Sequence, residues 1–489
     1  MPQIAPRGSL CDIGKNYAKS LDSLALNSHT VSTLMFRNHP SGENAMRSRT
    51  SLRRLAVVGT ALATAGLLAA CSGSGDSGNG ASSSEPGPGI TATTVKVGFI
   101  VPKPKTASGG TGFIGGEVGD AKSQVNALVK YVNGKGGLAG RKIDPVVRVV
   151  DSSTDSVQQE NAVCTAFTQD DKVFAVVLTG VREPSARSCY AQANTLMIDA
   201  GAVPLSKSAY EELKPYLWAP GFSTIDDYAK ALANSLKPQG FLDGKVKVGA
   251  LIENEGGYQE AFDANVKPVL EAAGITDVTV APFDATSGGT QGSSAGAAVN
   301  SFKAAGIDRL LFLGRPDMVG FFTSVAAPQL YTPRLAVGTF SDPNFIRLNP
   351  LYYPPAAITD AVGVGLIPGL DGINSGFPAK GPETTCINIY KAAGQNFKLR
   401  TDARKGLFYC DATLFLQTVA NKIGKDGTLN AANFSSTAQG LGDSWQAAAS
   451  LGTKFGEGIY APASTGRNLE YDNNGNFKYV GGTFSLTGS

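Results

Sequence analysis

Two stretches of this chain read almost alike. VKVGFIV at 95–101 and VKVGALI at 246–252 are short runs dominated by strand-forming residues, and each opens a series in which strand and helix alternate. In the first series Val118, Ala121, Val125, Leu128, Val129 and Val132 recur at helical spacing, and GKGGLAGRK then breaks the helix. A strand at 143–150 ends at Asp151, followed by a helix near 157–169, a strand at 173–178, a helix from Ser185 and a strand at 195–199. The second series runs through a helix near 259–273, a strand near 277–281, a helix near 295–305, the strand RLLFL at 309–313 and a helix from Asp317. AVGVGLI at 361–367 reads as a further crossing strand, followed by a helix containing Tyr409 to Lys422 and the turn YDNNGN at 471–476. Alternation of this kind implies parallel sheet with helices on both faces. Its restart implies two α/β, Rossmann-like lobes and not one sheet.

The region ahead of the first strand has a different character. From Met46, four arginines (Arg47, Arg49, Arg53 and Arg54) precede an uncharged apolar run at 55–70 that ends in small residues. This is the anatomy of a secretory signal. The run is 16 residues long, short of the about 20 that a spanning helix needs. Leu68-Ala69-Ala70-Cys71 matches a lipobox, in which the Cys71 thiol receives diacylglycerol and becomes the mature N-terminus. The expected place of the protein is therefore the outer face of a membrane, held by lipid. Residues 71–89 form a flexible tether rich in Gly and Ser. Residues 1–45 carry no targeting pattern and are read as a start-site over-extension ahead of Met46.

Without residues 1–70, 419 of the 489 residues remain, a length suited to two lobes. Both histidines, His29 and His39, lie in the discarded part. The mature chain thus lacks Ser-His-Asp and Cys-His catalysis and any His-ligated metal site. A net charge of +3 with no basic run after Cys71 argues against nucleic acid as a partner. Four further cysteines remain, with no CxxC pair among them. In an exported protein an even number suggests disulfides, and proximity along the chain favours Cys164–Cys189 and Cys386–Cys410. The stretch GTGFIG at 110–115 matches GxGxxG, but it starts well after its strand and has no acidic partner about 20 residues on. It reads as a loop at the mouth of a cleft, and no cofactor or metal is expected. Asp151 and Asp155 cluster at the end of a strand, where turn capping is favoured over chemistry, and Glu253 and Glu255 at the end of another, where a solvated loop is favoured over acid catalysis.

Several of these segments, in their order, carry a family resemblance. VKVGFI opens the first lobe, Gly136 to Lys142 lead into strand two, Asp151 ends it, KVFAVVLTG forms strand three, and Tyr409, Asp411 and Ala412 sit together in a late helix. The chain resembles the type I periplasmic binding proteins of the branched-chain amino acid and amide class, the receptors of ABC importers, over roughly 92–489. The resemblance implies a ligand held between two lobes joined by a multi-strand hinge. It places a carboxylate-binding helix start near Ser185, and a backbone-and-hydroxyl loop at Asp199, Ala202 and Val203. From the second lobe it brings Tyr258 and the acid Asp317, which would meet the ligand's amine. Val203 stands where a threonine is common, and Asp199 where a small neutral residue is common, which shifts the expected ligand from an aliphatic amino acid towards an amide or urea-like solute. Phe340 either walls the pocket or packs in the core.

The expectation is a lipid-anchored receptor, not an enzyme, that captures a small polar solute and delivers it to a membrane permease. Its lobes would comprise 90–220 with 368–435, and 221–367 with 436–489. A ligand sensor for a signalling partner, or carboxylate-based chemistry in the cleft, are the alternatives.

Overall fold

The computed structural model describes residues 85–103, 118–151, 156–180, 184–472 and 475–486. The secretion signal, Cys71, most of the tether, the 110–115 loop and Asp155 lie outside the described residues. Two sheets organise the rest. The first contains β1 (Thr94–Pro102), β2 (Lys142–Val150), β3 (Ala175–Leu178), β4 (Leu196–Asp199) and β5 (Leu217–Trp218), in the order β2-β1-β3-β4-β5. Every neighbouring pair in it is parallel. The second contains β6 (Val248–Glu253), β7 (Val278–Phe283), β8 (Arg309–Leu313), β9 (Arg334–Gly338), β10 (Val362–Gly365), β11 (Thr465–Tyr471) and β12 (Phe477–Ser485). Its order is β12-β11-β10-β9-β8-β6-β7, parallel from β7 to β10 and antiparallel through β11 and β12. This is the two-lobed α/β architecture that the alternation implies.

The elements form where the side chains require them. In β3 and β4 every residue is buried, as expected for strands covered on both faces. The helix Ala121–Gly134 starts where the Asp120 carboxylate accepts the Ser123 amide at 2.7 Å, and it buries Val125, Leu128, Val129 and Val132. It stops at Gly136 and Gly137, both at positive φ. A Cβ on Gly137 would lie 1.9 Å from the Arg141 carbonyl oxygen, so only glycine makes this turn into β2. Trp218 anchors an aromatic cluster with Phe415, Phe434, Phe455 and Tyr460, at centroid distances of 4.9 to 6.1 Å. Two disulfides, Cys164–Cys189 and Cys386–Cys410, have the pairing expected from the sequence. The first joins the helices Val157–Thr165 and Pro184–Gln192. The second joins Pro382–Ala392 to the long helix Arg400–Ile423.

The chain passes between the sheets three times: after β5, after β10, and again before β11. Backbone hydrogen bonds tie these crossings to one another, from Ala219 N to Tyr460 O, from Ala463 N to Phe222 O and from Leu451 N to Leu366 O. Two buried carboxyls brace them. Asp371 accepts from Thr339 Oγ1 at 2.8 Å, Ile367 N at 3.1 Å and the Tyr479 hydroxyl at 2.5 Å. Asp411, on the long helix, accepts from the amides of Ala448 at 2.6 Å and Ala449 at 3.0 Å.

Candidate ligand-binding cleft

In parallel α/β sheets the loops beyond the carboxyl ends of the strands are where ligands are held. Both sheets present these ends to a common cleft of about 430 Å³. The first lobe contributes Ile100 and Pro102 from β1, Val150 from β2, and the loops after β3 and β4, including Thr179, Ala202 and Val203. From the second lobe come Arg315 and Asp317 after β8, and Phe340 and Asp342 after β9. One face of the long helix adds Arg404, Lys405, Phe408 and Tyr409. A larger depression of about 940 Å³ opens elsewhere, at the amino ends of β8 to β10. Its arginines, Arg309 and Arg334, donate to the carbonyls of Phe241, Asp308, Gln239, Gly240 and Asp360, and it lies at the opposite strand ends from the cleft.

The floor of the cleft is rigid. Tyr409 donates to the Ile100 carbonyl at 3.0 Å and Thr179 donates to the same oxygen at 2.8 Å, pinning the long helix against β1 and β3. Burial raises the Tyr409 hydroxyl well above its ordinary range, so it remains a donor. Phe340 is buried, packs edge-on to Tyr228 at 4.8 Å and lines the cleft, so it both walls the pocket and belongs to the core. Asp342 caps the helix Pro343–Leu348 through the Phe345 amide at 3.0 Å. Burial pushes its carboxyl up to about 6 despite the nearby Arg404 and Lys405.

The residues singled out from sequence divide into two groups. Ala202, Val203 and Asp317 line the cleft together. Asp317, however, is ion-paired with Arg315 at 3.0 Å, a partner not foreseen from sequence. Arg315 is itself fixed, its amide donating to Glu253 at 2.7 Å and its guanidinium to the Ala285 carbonyl at 2.9 Å. Glu253 is therefore a structural acceptor. Ser185, Asp199 and Tyr258 are not among the lining residues. Ser185 is exposed at the helix start and accepts from Asn161 at 3.1 Å. Tyr258 is buried at the start of the helix Tyr258–Ala261. Asp199 does not project as a free charge into the cleft. It is 3% exposed, paired with Arg187 at 3.1 Å, and accepts the Gly201 amide at 2.7 Å. The expected repulsion of a ligand carboxylate by Asp199 therefore lapses, because Arg187 balances that charge from below.

Sequence reasoning missed Arg315, Asp342, Arg404, Lys405 and Phe408. A signal for three of them was available: Arg404 lies four residues before Phe408 and Lys405 four before Tyr409, which puts all four on one stripe of a helix. Among the described residues no cluster of His, Cys, Asp and Glu is arranged to hold a metal ion.

The periplasmic binding protein family profile matches residues 94–353, more than half of the chain. The chain belongs to the periplasmic binding protein family. Its fold is similar to that of the branched-chain amino acid transporter substrate-binding protein LivJ from Streptococcus pneumoniae, solved with isoleucine, at a TM-score of 0.55 and 16% identity over 80% of this chain and 99% of that one. A solute-binding protein of an ABC transporter from R. palustris, in complex with 4-hydroxybenzoate, aligns at a TM-score of 0.57 and 16% identity over 80% and 97%. A fatty acid ABC transporter substrate-binding protein from Thermomonospora curvata aligns at 0.55 and 16% over 82% and 94%. No curated protein matches in sequence. This periplasmic binding protein thus has the type I fold that the sequence resemblance implies, and its family is one of solute receptors.

Proposed function

We propose that this periplasmic binding protein is the exported, lipid-anchored receptor of an ABC importer, closing its two lobes on a small solute and presenting it to the permease. One observation carries the reading: a single cleft is walled by the carboxyl ends of both sheets, so a ligand in it touches both lobes at once. Such a ligand favours the closed arrangement by its differential affinity for it. The importer assignment draws on the relatives' role in ABC transport, and the anchor on the signal and lipobox ending at Cys71. The lobes are drawn at 90–220 with 368–435 and at 221–367 with 436–489, with the three crossings as hinge. Of the residues singled out from sequence, Ala202, Val203 and Asp317 would face the ligand, joined by Phe340, Arg404 and Phe408.

The test has two arms. The full chain, extracted in detergent and denatured, should release a bound small molecule detectable by mass spectrometry, and a solute that binds should compact the protein in small-angle scattering. A chain that binds no small solute is not a receptor. For the anchor, Cys71→Ser should leave the protein unprocessed or free of the membrane, and normal lipid labelling of that variant rules the anchor out.

A further inference from the structure

The loop after β4 ties the two lobes together in addition to the chain crossings. It begins at the cleft, where Ala202 and Val203 line the wall, and Ala202 stands at φ +55, a region that residues other than glycine seldom occupy. Its start is fixed by the Gly201 amide, which donates to Asp199 at 2.7 Å. Its end is fixed to the other lobe. The Leu205 carbonyl accepts the Ile225 amide at 2.9 Å, the Lys207 amide donates to Asp226 Oδ2 at 2.8 Å, and Lys207 Nζ pairs with Asp227 Oδ1 at 2.7 Å. Asp227 is oriented for this contact, because its other carboxyl oxygen accepts from Thr224 Oγ1 at 2.8 Å. Both acids lie in the first turn of the helix Ile225–Leu236, which follows the crossing after β5 and packs on the second sheet. Ser206 also lies against the loop after β6, where a Cβ on Gly257 would come within 3.1 Å of the Ser206 Cβ.

The second lobe carries this tie back to the cleft. Tyr228, the residue after Asp227, packs edge-on to Phe340 at 4.8 Å, and Phe340 lines the opposite wall. Lys207, Asp226 and Asp227 are not among the lining residues, so their effect on a solute runs through Val203 on one side and Phe340 on the other.

We propose, resting on the receptor reading above, that Lys207 with Asp226 and Asp227 forms an interlobe latch, a positioning element that limits how far the cleft opens before a solute arrives. Lys207 is more than half exposed, and an ion pair of that kind adds little to folding stability. Set between two lobes that hinge, the same pair acts on their separation, so its weight falls on opening and not on folding.

Small-angle scattering on the full chain without solute, with the detergent matched out, tests this. Lys207→Gln should enlarge the radius of gyration, and Lys207→Arg should leave it as it is. Asp226→Ala removes the acceptor of the Lys207 amide and should enlarge the radius by a second route. Raising the salt from about 0.05 M to about 0.5 M should enlarge the unaltered chain and change Lys207→Gln less. Tm in Lys207→Gln should stay within about 2 °C of the unaltered chain. Lys214→Gln serves as the control: it breaks an exposed pair with Glu211 inside the first lobe and should alter neither quantity. An unchanged radius in both Lys207→Gln and Asp226→Ala, an equal enlargement in Lys214→Gln, or an enlargement seen only together with a lowered Tm overturns the latch. No solute enters the measurement, so failure here leaves the receptor reading standing, and that reading fails on its own solute-release test.

Discussion

A carboxylate taken out of water costs several kcal/mol unless a counter-charge and donors go with it, and Asp199 has both in Arg187 and the Gly201 amide. Removing one partner strands the other, so Arg187→Ala should destabilise the protein by about 3–5 kcal/mol in urea melts. The double change, Arg187→Met with Asp199→Leu, should cost much less than the two single losses added together. The buried acids at the crossings and in the cleft behave differently. Burial pushes Asp371 and Asp411 up to about 7 and Asp342 up to about 6, against an ordinary 3.8. The folded chain therefore holds protons that the unfolded chain has released between about pH 4 and 7, and stability falls as pH rises through that window. Thermal melts should show Tm decreasing from pH 5 to pH 8, by several degrees for a loss of a few kcal/mol. No histidine among the described residues competes with this signal, since both lie in the first 45 residues. A flat or rising profile refutes the assignment.

The helices of the first lobe are stapled, and the staples differ in what they secure. Cys386–Cys410 ties the long helix, which carries four cleft residues, to its neighbour, closing a loop of 24 residues in sequence separation. Replacing both cysteines by serine should cost about 3 kcal/mol by the chain-entropy account and should weaken solute binding as well. Loss of the Cys164–Cys189 staple should lower stability by a similar amount and leave affinity closer to normal, as read by melts and calorimetry on the two variants. The same long helix shows how far the sequence was legible. Its second half was plain from Tyr409 onward, but the stretch from Arg400 was not, because charged residues and Gly406 interrupt the apolar period. Gly406 is there for the Tyr390 ring, which lies 3.1 Å from where a Cβ would stand, and the Tyr390 hydroxyl donates to its carbonyl at 2.6 Å. That contact is tertiary and leaves no trace in local sequence. Missing those turns meant missing Arg404 and Lys405, and with them the charge of the cleft. The helix Gly288–Ala305 began earlier than expected for a similar reason: GGTQGSS reads as loop, yet Ser287 and Thr290 form a capping box that starts the helix there. The parallel strands were readable because burial on both faces writes itself as continuous Val, Ile and Leu. Asp199 was misjudged because its partner, twelve residues back on a helix, is fixed by packing and not by spacing.

For the whole molecule, the three crossings set the mechanics. They are bonded to each other in pairs, so under the closure proposed above a hinge motion would bend them together. Small-angle scattering with saturating solute should give a smaller radius of gyration than without it, and Phe408→Ala should blunt that change by thinning the contact both lobes share. An unchanged radius on binding excludes closure. The order of the strands has a consequence for how such a chain comes into being. β10 is flanked on one side by β9 and on the other by β11, which arrives about a hundred residues later, after the chain has returned to the first lobe. A chain emerging from its amino end can finish the first sheet early, but the exposed edge of β10 waits for β11 to emerge. Until then the second lobe is a sheet with an unpaired margin, open to chaperones, to proteases and to strand-pairing with another chain. On the exported-receptor reading proposed above, quality control would therefore act on the β11–β12 hairpin, and a variant lacking Thr465–Ser485 should be degraded and not accumulate.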